Sequence, residues 1–222
     1  EFRFSRPYIG KLEEESITSK SVLLHYLKGY DSIEVEELVD MCDENSIHYV
    51  SINYLIQTLA PEYIRVGVST LMKKDLTDVT DDVLDSTVEM VQEMIGANGY
   101  VASTKITDFL WFPQISVDWN EFLLESIIAL SHKVPIIYRF GNRFGHANAI
   151  YVSEEYKNDN FESFLIKLLE KEVRKGSFTS KNDMADWLRE EGLIVKKLPN
   201  FLESAKYFCI DSTGVHRTES SS

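Results

Sequence analysis

One pattern recurs three times along the chain and limits how it can fold. An amphipathic helical segment ends at a glycine, a short extended stretch follows, and a second helical segment comes next; the glycines are Gly29, Gly99 and Gly176. Recurrence of the same elements in the same order is the mark of a tandem repeat. We therefore predict an α+β chain that is mostly α-helical and is assembled from three small units with three-helix cores and β-hairpins.

The repeats and the turn residues between them suggest where each unit begins and ends. We place the first unit at residues 21–74, the second at 75–159 and the third at 160–217. Residues 1–20 are predicted to form an N-terminal arm. Residues 218–222 have no apolar side chain to bury, which predicts a disordered tail.

Within the second and third units, caps and breakers predict individual elements. Ser103 is expected to cap a helix over residues 104–111, and the apolar segment 117–131 is expected to form a strong helix. Alternating aromatic and β-branched residues predict a hairpin within residues 132–152. In the third unit, Ser180 with Asp183 resembles a capping box before a helix that stops at Gly192, and a further helix is expected over residues 195–204.

The third unit has the element order of a known DNA-binding fold. Residues 161–217 resemble a winged helix-turn-helix domain of bacterial type, and residues 21–74 and 81–152 resemble diverged copies of it. The resemblance implies that the third helix of a unit enters the DNA major groove while the hairpin, or wing, lies along the backbone.

The charge is distributed unevenly among the units. The chain has a net charge of -13. Residues 75–159 are its most acidic part, with 5 basic and 14 acidic side chains. Residues 160–222 hold 10 basic and 10 acidic side chains and are therefore the third of the chain least repelled by phosphates. The acidic total argues against a dedicated nucleic-acid coat.

Only the third unit has a third helix with the cations and amides that DNA requires. The corresponding helix of the first unit offers Asn53 and Gln57 without Lys or Arg, and that of the second is expected to expose Asp118, Glu121 and Glu125. An alternative is that Lys196 and Lys197 of the third unit, the lysine pair, form a solvated turn. The predicted nucleic-acid-binding residues of this unit are Lys181, Arg189, Lys196, Lys197, Asn200, Lys206 and Arg217.

The hairpin of the second unit is a second candidate for nucleic-acid contact. Lys133, Arg139 and Arg143 alternate there with aromatic residues, a pattern that suits backbone contact combined with base stacking. The alternative is a core hairpin whose aromatic side chains face inward and whose cations pair with nearby acids.

The sequence contains none of the common catalytic or metal-binding motifs, so we predict no enzymatic activity, no cofactor and no metal. Cys42 and Cys209 are expected to be buried thiols, with a disulfide between them as the alternative. No apolar run is long enough for a membrane span. Without an initiator Met, the chain is expected to be part of a longer cytoplasmic protein.

The function expected from these patterns is DNA binding, mainly through the third unit. One alternative is a protein-interaction or self-association scaffold that uses the first two units. Another is the regulatory portion of an enzyme whose catalytic domain lies outside this chain.

Overall fold

The computed structural model of the chain describes residues 2–5, 8–11, 18–139, 145–203, 208–211 and 214–217. For the first two ranges, and for residues 203, 209–211, 214 and 217, the description covers the backbone. The chain packs into two compact bodies, and neither is continuous in sequence. The first body comprises residues 1–87, 109–131 and 143–146, and the second comprises residues 88–108, 132–142 and 147–222.

The described elements confirm an α+β chain with small antiparallel sheets. The helices are α1 Ser19–Tyr26, α2 Val35–Glu44, α3 Ile52–Leu59, α4 Asp81–Ile95, α5 Glu121–Ser131, α6 Phe161–Arg174, α7 Lys181–Glu190 and α8 Asn200–Glu203. The strands are β1 Phe2–Ser5, β2 Tyr8–Lys11, β3 Ser32–Glu34, β4 Tyr63–Arg65, β5 Thr70–Lys73, β6 Tyr100–Ala102, β7 Ile136–Tyr138, β8 Ala149–Val152, β9 Phe208–Asp211 and β10 Gly214–Arg217.

The first body combines three helices with a three-stranded sheet of order β3-β5-β4. Strand β5 pairs antiparallel with both neighbours. Its Leu71 lies opposite Ile33 of β3, and its Met72 lies opposite Ile64 of β4. The apolar faces of α1, α2 and α3 meet in one core that includes Leu38 and Leu59, both fully buried. This core follows from the spacing of leucines at helical intervals in the three segments.

Helix α5 completes the first body by packing on the strand β4. Leu123 and Ile127 share an apolar cluster with Ile64 of β4. Asn120 caps the helix: its Oδ1 accepts from the amides of residues 122 and 123, both at 3.0 Å, and its Nδ2 donates to the Val66 carbonyl at 2.7 Å. Because Asn120 is a strong cap, the helix begins at Glu121, later than the predicted residue 117.

The second body contains the predicted hairpin of residues 132–152 as part of a sheet of order β6-β8-β7. Ile150 of β8 lies opposite Ile137 of β7, and Tyr100 of β6 lies opposite Val152. All four residues of β8 are buried. The hairpin is therefore a core element, with its central strand covered on both faces.

The C-terminal part of the second body confirms the predicted helix that precedes Gly176 and the predicted helix capped by Ser180. Helix α6 buries Phe164, Leu165, Leu168 and Leu169 on one face. The amide of Asp183 donates to the Oγ of Ser180, the cap of α7, at 3.1 Å. Strands β9 and β10 form a hairpin. The amide of Val215 in β10 donates to the Phe178 carbonyl at 3.4 Å, so the extended segment before α7 lies beside this hairpin.

Besides α5, two predicted helices are wrong in extent. Residues 104–111 contribute only to a 3-10 turn, Ser103–Lys105, and the chain is irregular from there to Asn120. The helix predicted over residues 195–204 begins at Asn200, because proline disfavours the helical conformation of the residue before it and Pro199 occupies the boundary. The residues of the lysine pair therefore lie in the preceding turn.

Cys42 is a free, buried thiol on α2, as predicted. Burial, aided by the neighbouring carboxylate of Asp43, raises the pKa of this thiol to about 11. It stays protonated at neutral pH. The backbone of Cys209 lies in β9, and its side chain is outside the described residues.

Candidate functional site

The turn between α7 and α8 presents the lysine pair at its tip. Leu193, Ile194 and Leu198 are buried in the core of the second body and anchor both ends of the turn. Lys196 and Lys197, between these anchors, are exposed. The segment "LIVKKL" therefore holds two exposed lysines between buried apolar anchors.

Arg189 holds the backbone of this turn. Its Nε and Nη2 both donate to the Lys196 carbonyl, at 2.9 and 2.7 Å, while its Nη1 pairs with Asp186. A guanidinium can donate two hydrogen bonds in its own plane to one carbonyl, which fixes the direction of that carbonyl as well as its distance from the guanidinium. Arg189, predicted as a phosphate contact, is placed here as the residue that positions Lys196.

The side chains of Lys196 and Lys197 differ in their surroundings from the lysines of α6. Two lysines on that helix and the one that follows it form ion pairs: Lys167 with Asp159 at 2.8 Å, Lys171 with Glu155 at 2.9 Å, and Lys175 with Glu172 at 2.5 Å. Within the described part of the chain, no carboxylate forms an ion pair with Lys196 or Lys197. Their ammonium groups are therefore accessible to an external anion.

The other predicted residues of the third unit are less fully placed. Asn200 is exposed and begins α8, three residues beyond Lys197. Lys181 is the first residue of α7 and is half-buried. Lys206 lies outside the described residues, and Arg217 is described by its backbone in β10 alone.

Of the predicted cations of the hairpin, the structure describes two, and one of these is buried and the other exposed. Arg139 is 5% exposed, and its guanidinium donates to the carbonyls of Gly192 at 2.7 Å and Ala147 at 2.5 Å. These bonds join the end of β7 to the turn after α7, so we leave Arg139 out of any external contact. Lys133 is exposed just before β7, and Arg143 lies outside the described residues.

Helices α3 and α5, which correspond to the third helices of the first and second predicted units, are poorly suited to a DNA groove. Within α5 no residue is exposed, and Glu125, which was predicted to face solvent, is 9% exposed. Burial lowers the pKa of the Arg65 guanidinium, and the carboxylates of Glu125 and Glu121 act in the opposite direction. Helix α3 exposes Tyr54 and Gln57 and has no cation along its length.

Sequence reasoning missed a second exposed feature, the turn at residues 109–112. The amide of Phe112 donates to the Phe109 carbonyl at 3.1 Å, so Leu110 and Trp111 are the two central residues of a β-turn. They are 85% and 83% exposed. The signal was present as adjacent large apolar residues within a segment that lacks a continuous helical face.

The described residues contain no group of three or more His, Cys, Asp and Glu side chains arranged to hold a metal ion. Among the helices of the described residues, none combines the length and apolarity that a membrane crossing needs. Comparison of the chain with protein-family models, with curated proteins and with solved structures gives no match.

Proposed function

We propose that the chain consists of tandem winged-helix units and that its C-terminal unit contacts DNA. The element order of residues 19–73 is helix, strand, helix, helix, strand, strand, and the last strand lies between the other two in the sheet β3-β5-β4. The order β6-β8-β7 repeats this arrangement. In the C-terminal segment, Phe178 before α7 lies beside β10, which supports a third unit of the same design.

The observation that carries the DNA proposal is the anchored turn with Lys196 and Lys197 at its tip. Phosphate contacts need cations that are exposed and have no internal partner. Arg189 donates two hydrogen bonds to the Lys196 carbonyl, so the backbone of the lysine pair is held in place before any ligand binds. In the proposed complex both lysines contact phosphates, and Asn200 reaches a base edge.

The acidic composition predicts the character of this binding. Repulsion from the chain as a whole opposes DNA, so the attraction is local and depends steeply on ionic strength. We expect weak affinity at physiological salt and a clear increase as the salt concentration is lowered.

Fluorescence anisotropy with a labelled mixed-sequence DNA duplex, measured over a salt series, tests the proposal. We expect K196E/K197E to abolish binding at moderate salt. If each lysine neutralises one phosphate, their loss also lowers the slope of log K against log salt by about 1.8. The matched control is K157E/K175E, which makes the same change in net charge at two exposed lysines that are ion-paired with Glu154 and Glu172.

Two results would contradict the proposal. Unchanged affinity in K196E/K197E would remove the turn from the interface. An equal loss in K157E/K175E would show that net charge, and not this turn, controls binding.

A second candidate function is protein interaction through the first body. The observation that favours it is the exposed surface at α3: Val50 before the helix is 89% exposed, Tyr54 on the helix is 49% exposed, and α3 has no Lys or Arg. An uncharged surface with an aromatic residue suits a protein better than a phosphate backbone. The variant Y54E, on the surface of α3, would separate the two candidate functions. It should weaken protein interaction through the first body and leave DNA binding intact.

A further inference from the structure

We propose that Leu110 and Trp111 are the anchor of a protein-docking surface on the first body. The partner is a protein with an apolar pocket rimmed by basic side chains. This inference rests on the turn at residues 109–112 and is independent of the DNA proposal.

The turn is held rigidly from below by aromatic packing. The rings of Phe109 and Phe112 meet edge to face at a centroid distance of 5.2 Å, and Trp119 stacks on Phe109 at 6.2 Å and contacts Phe112 at 4.9 Å. The Trp119 Nε1 donates to the Pro113 carbonyl at 2.8 Å. Ser116 donates to the Leu76 carbonyl at 3.0 Å and fixes the segment farther along.

Exposure at the tip contrasts with this burial at the base. Phe112 is 7% exposed, whereas the adjacent Trp111 is 83% exposed and Leu110 is 85% exposed. Single exposed apolar residues are common on protein surfaces, but here two large neighbours project from one fixed turn. Tryptophan is enriched at the energetic centres of interfaces, and a pre-ordered backbone reduces the entropy lost on binding.

The charge around the turn indicates the kind of partner. Residues 109–131 of the first body contain no Lys or Arg; of their carboxylates beyond the turn, Asp118 is exposed, Glu121 is half-buried and Glu125 is buried. A surface with cations around its pocket complements the exposed carboxylate of Asp118. A second copy of a chain with a net charge of -13 does not, and anionic lipid headgroups would be repelled.

Site-specific photo-crosslinking in the cells that express the protein, followed by reconstitution, tests the proposal. One variant places p-benzoylphenylalanine at Trp111, and a control places it at Tyr26, which is 42% exposed on a different segment of the first body. We expect a protein that is crosslinked from position 111 and not from position 26. That protein is then purified and its binding to the full chain is measured by titration calorimetry.

The reconstituted complex should depend on the anchor and on charge. We expect W111A to weaken binding by about thirtyfold or more, as for an interface hot spot. The control Y26A should bind as the wild type does. D118K and added salt should both weaken binding, because each reduces attraction to a basic rim. Since both tip residues are exposed, W111A and L110A should fold normally, which circular dichroism verifies.

Several outcomes would overturn the proposal. They are a crosslink to a second copy, the absence of any protein specific to position 111, and reconstituted binding that survives both W111A and L110A. Flotation with vesicles of phosphatidylcholine and phosphatidylserine provides the last arm: retention that is lost in W111A would assign the turn to a membrane surface and overturn the protein partner.

Discussion

Arg65 shows how one buried cation can organise a small β-hairpin. Its side chain is 6% exposed, its Nε donates to the Gly67 carbonyl at 3.1 Å and its Nη2 donates to the Val68 carbonyl. Its guanidinium carbon lies 4.3 Å from the centre of the Phe122 ring on α5. Arg65 thus fixes the loop between β4 and β5 and stacks against α5 at the same time.

We therefore expect R65A to destabilise the first body by about 2–4 kcal/mol, because two charge-assisted hydrogen bonds and a cation–π contact are lost in a buried site. R65M should be milder, since it restores apolar contact with the ring. Urea unfolding followed by tryptophan fluorescence measures the difference in a W187F background, in which the remaining Trp111 and Trp119 both belong to the first body. K28A, at an exposed lysine, is the control and should change the free energy of unfolding by less than about 0.5 kcal/mol. If R65A changed it as little as K28A does, the structural role of Arg65 would be contradicted.

A buried tyrosine in the second body predicts a dependence on alkaline pH. The Tyr100 hydroxyl donates to Glu191 at 2.8 Å, and burial, followed by this hydrogen bond to a carboxylate, raises the pKa of Tyr100. The raised pKa stabilises the folded state fully below the unfolded-state value of about 10. That contribution is lost as the pH rises above this value toward the folded-state pKa.

We expect the free energy of unfolding of the wild type to fall more steeply than that of Y100F above about pH 10. Urea unfolding followed by circular dichroism from about pH 8 to about pH 11 measures both curves. Y54F, at a tyrosine of the first body, should keep the wild-type dependence of the second body, which Trp187 fluorescence reports. Parallel curves for the wild type and Y100F would refute the assignment.

At the scale of elements, the sequence predicted best where local chemistry decides the structure. Ser180 caps α7 as expected because its hydroxyl accepts from the amide of Asp183, which has no partner within the helix. The leucines of α6 point inward because their spacing leaves one face apolar. The hairpin of residues 132–152 forms because alternating β-branched residues favour paired strands.

The sequence predicted less where tertiary contacts compete with local preference. Residues 104–111 contain apolar residues at near-helical intervals, but Phe109 and Phe112 gain more from packing around Trp119 than a short helix would provide. Arg139 resembles a surface cation in the sequence, and its burial depends on two carbonyls, one of them from a residue far along the chain. Of the candidate site, the lysine pair was predicted and a turn at the pair was the stated alternative, whereas the hydrogen bonds from Arg189 to that turn required the structure.

Two glycines with the same backbone conformation provide a direct test of packing. Gly176 and Gly192 both have φ of +71°, a region that disfavours other residues. A Cβ on Gly192 would lie 2.9 Å from the Thr104 Oγ1 and 3.2 Å from the Ala102 Cβ, whereas a Cβ on Gly176 would meet nothing within 4 Å.

G176A should therefore destabilise the protein by about 1–2 kcal/mol through backbone strain alone. G192A should exceed that loss by about 1 kcal/mol or more, since the new methyl group also overlaps the turn of residues 102–105. Urea unfolding of the two variants side by side gives the comparison. Equal losses would show that the turn moves aside without penalty.

At the scale of the whole molecule, the unit boundaries inferred from the repeats remain a prediction, and the packing adds a feature that repeats do not reveal. The two bodies are interleaved in sequence, since residues 88–108 belong to the second and residues 109–131 return to the first. Linear patterns such as the spacing of Gly29 and Gly99 carry no information on such a return. Long-range contacts, which depend on the folded chain, decide it.

The return of α5 to the first body affects the order in which the protein can mature during synthesis. Ile64 and Val79 are 2% and 5% exposed in the folded chain because Leu123 and Ile127 share their cluster. On the ribosome, both residues emerge well before α5, and β6 is made in the interval. The nascent N-terminal segment therefore exposes an apolar surface that closes only after residue 131, which is the stage at which a chaperone would have a surface to bind.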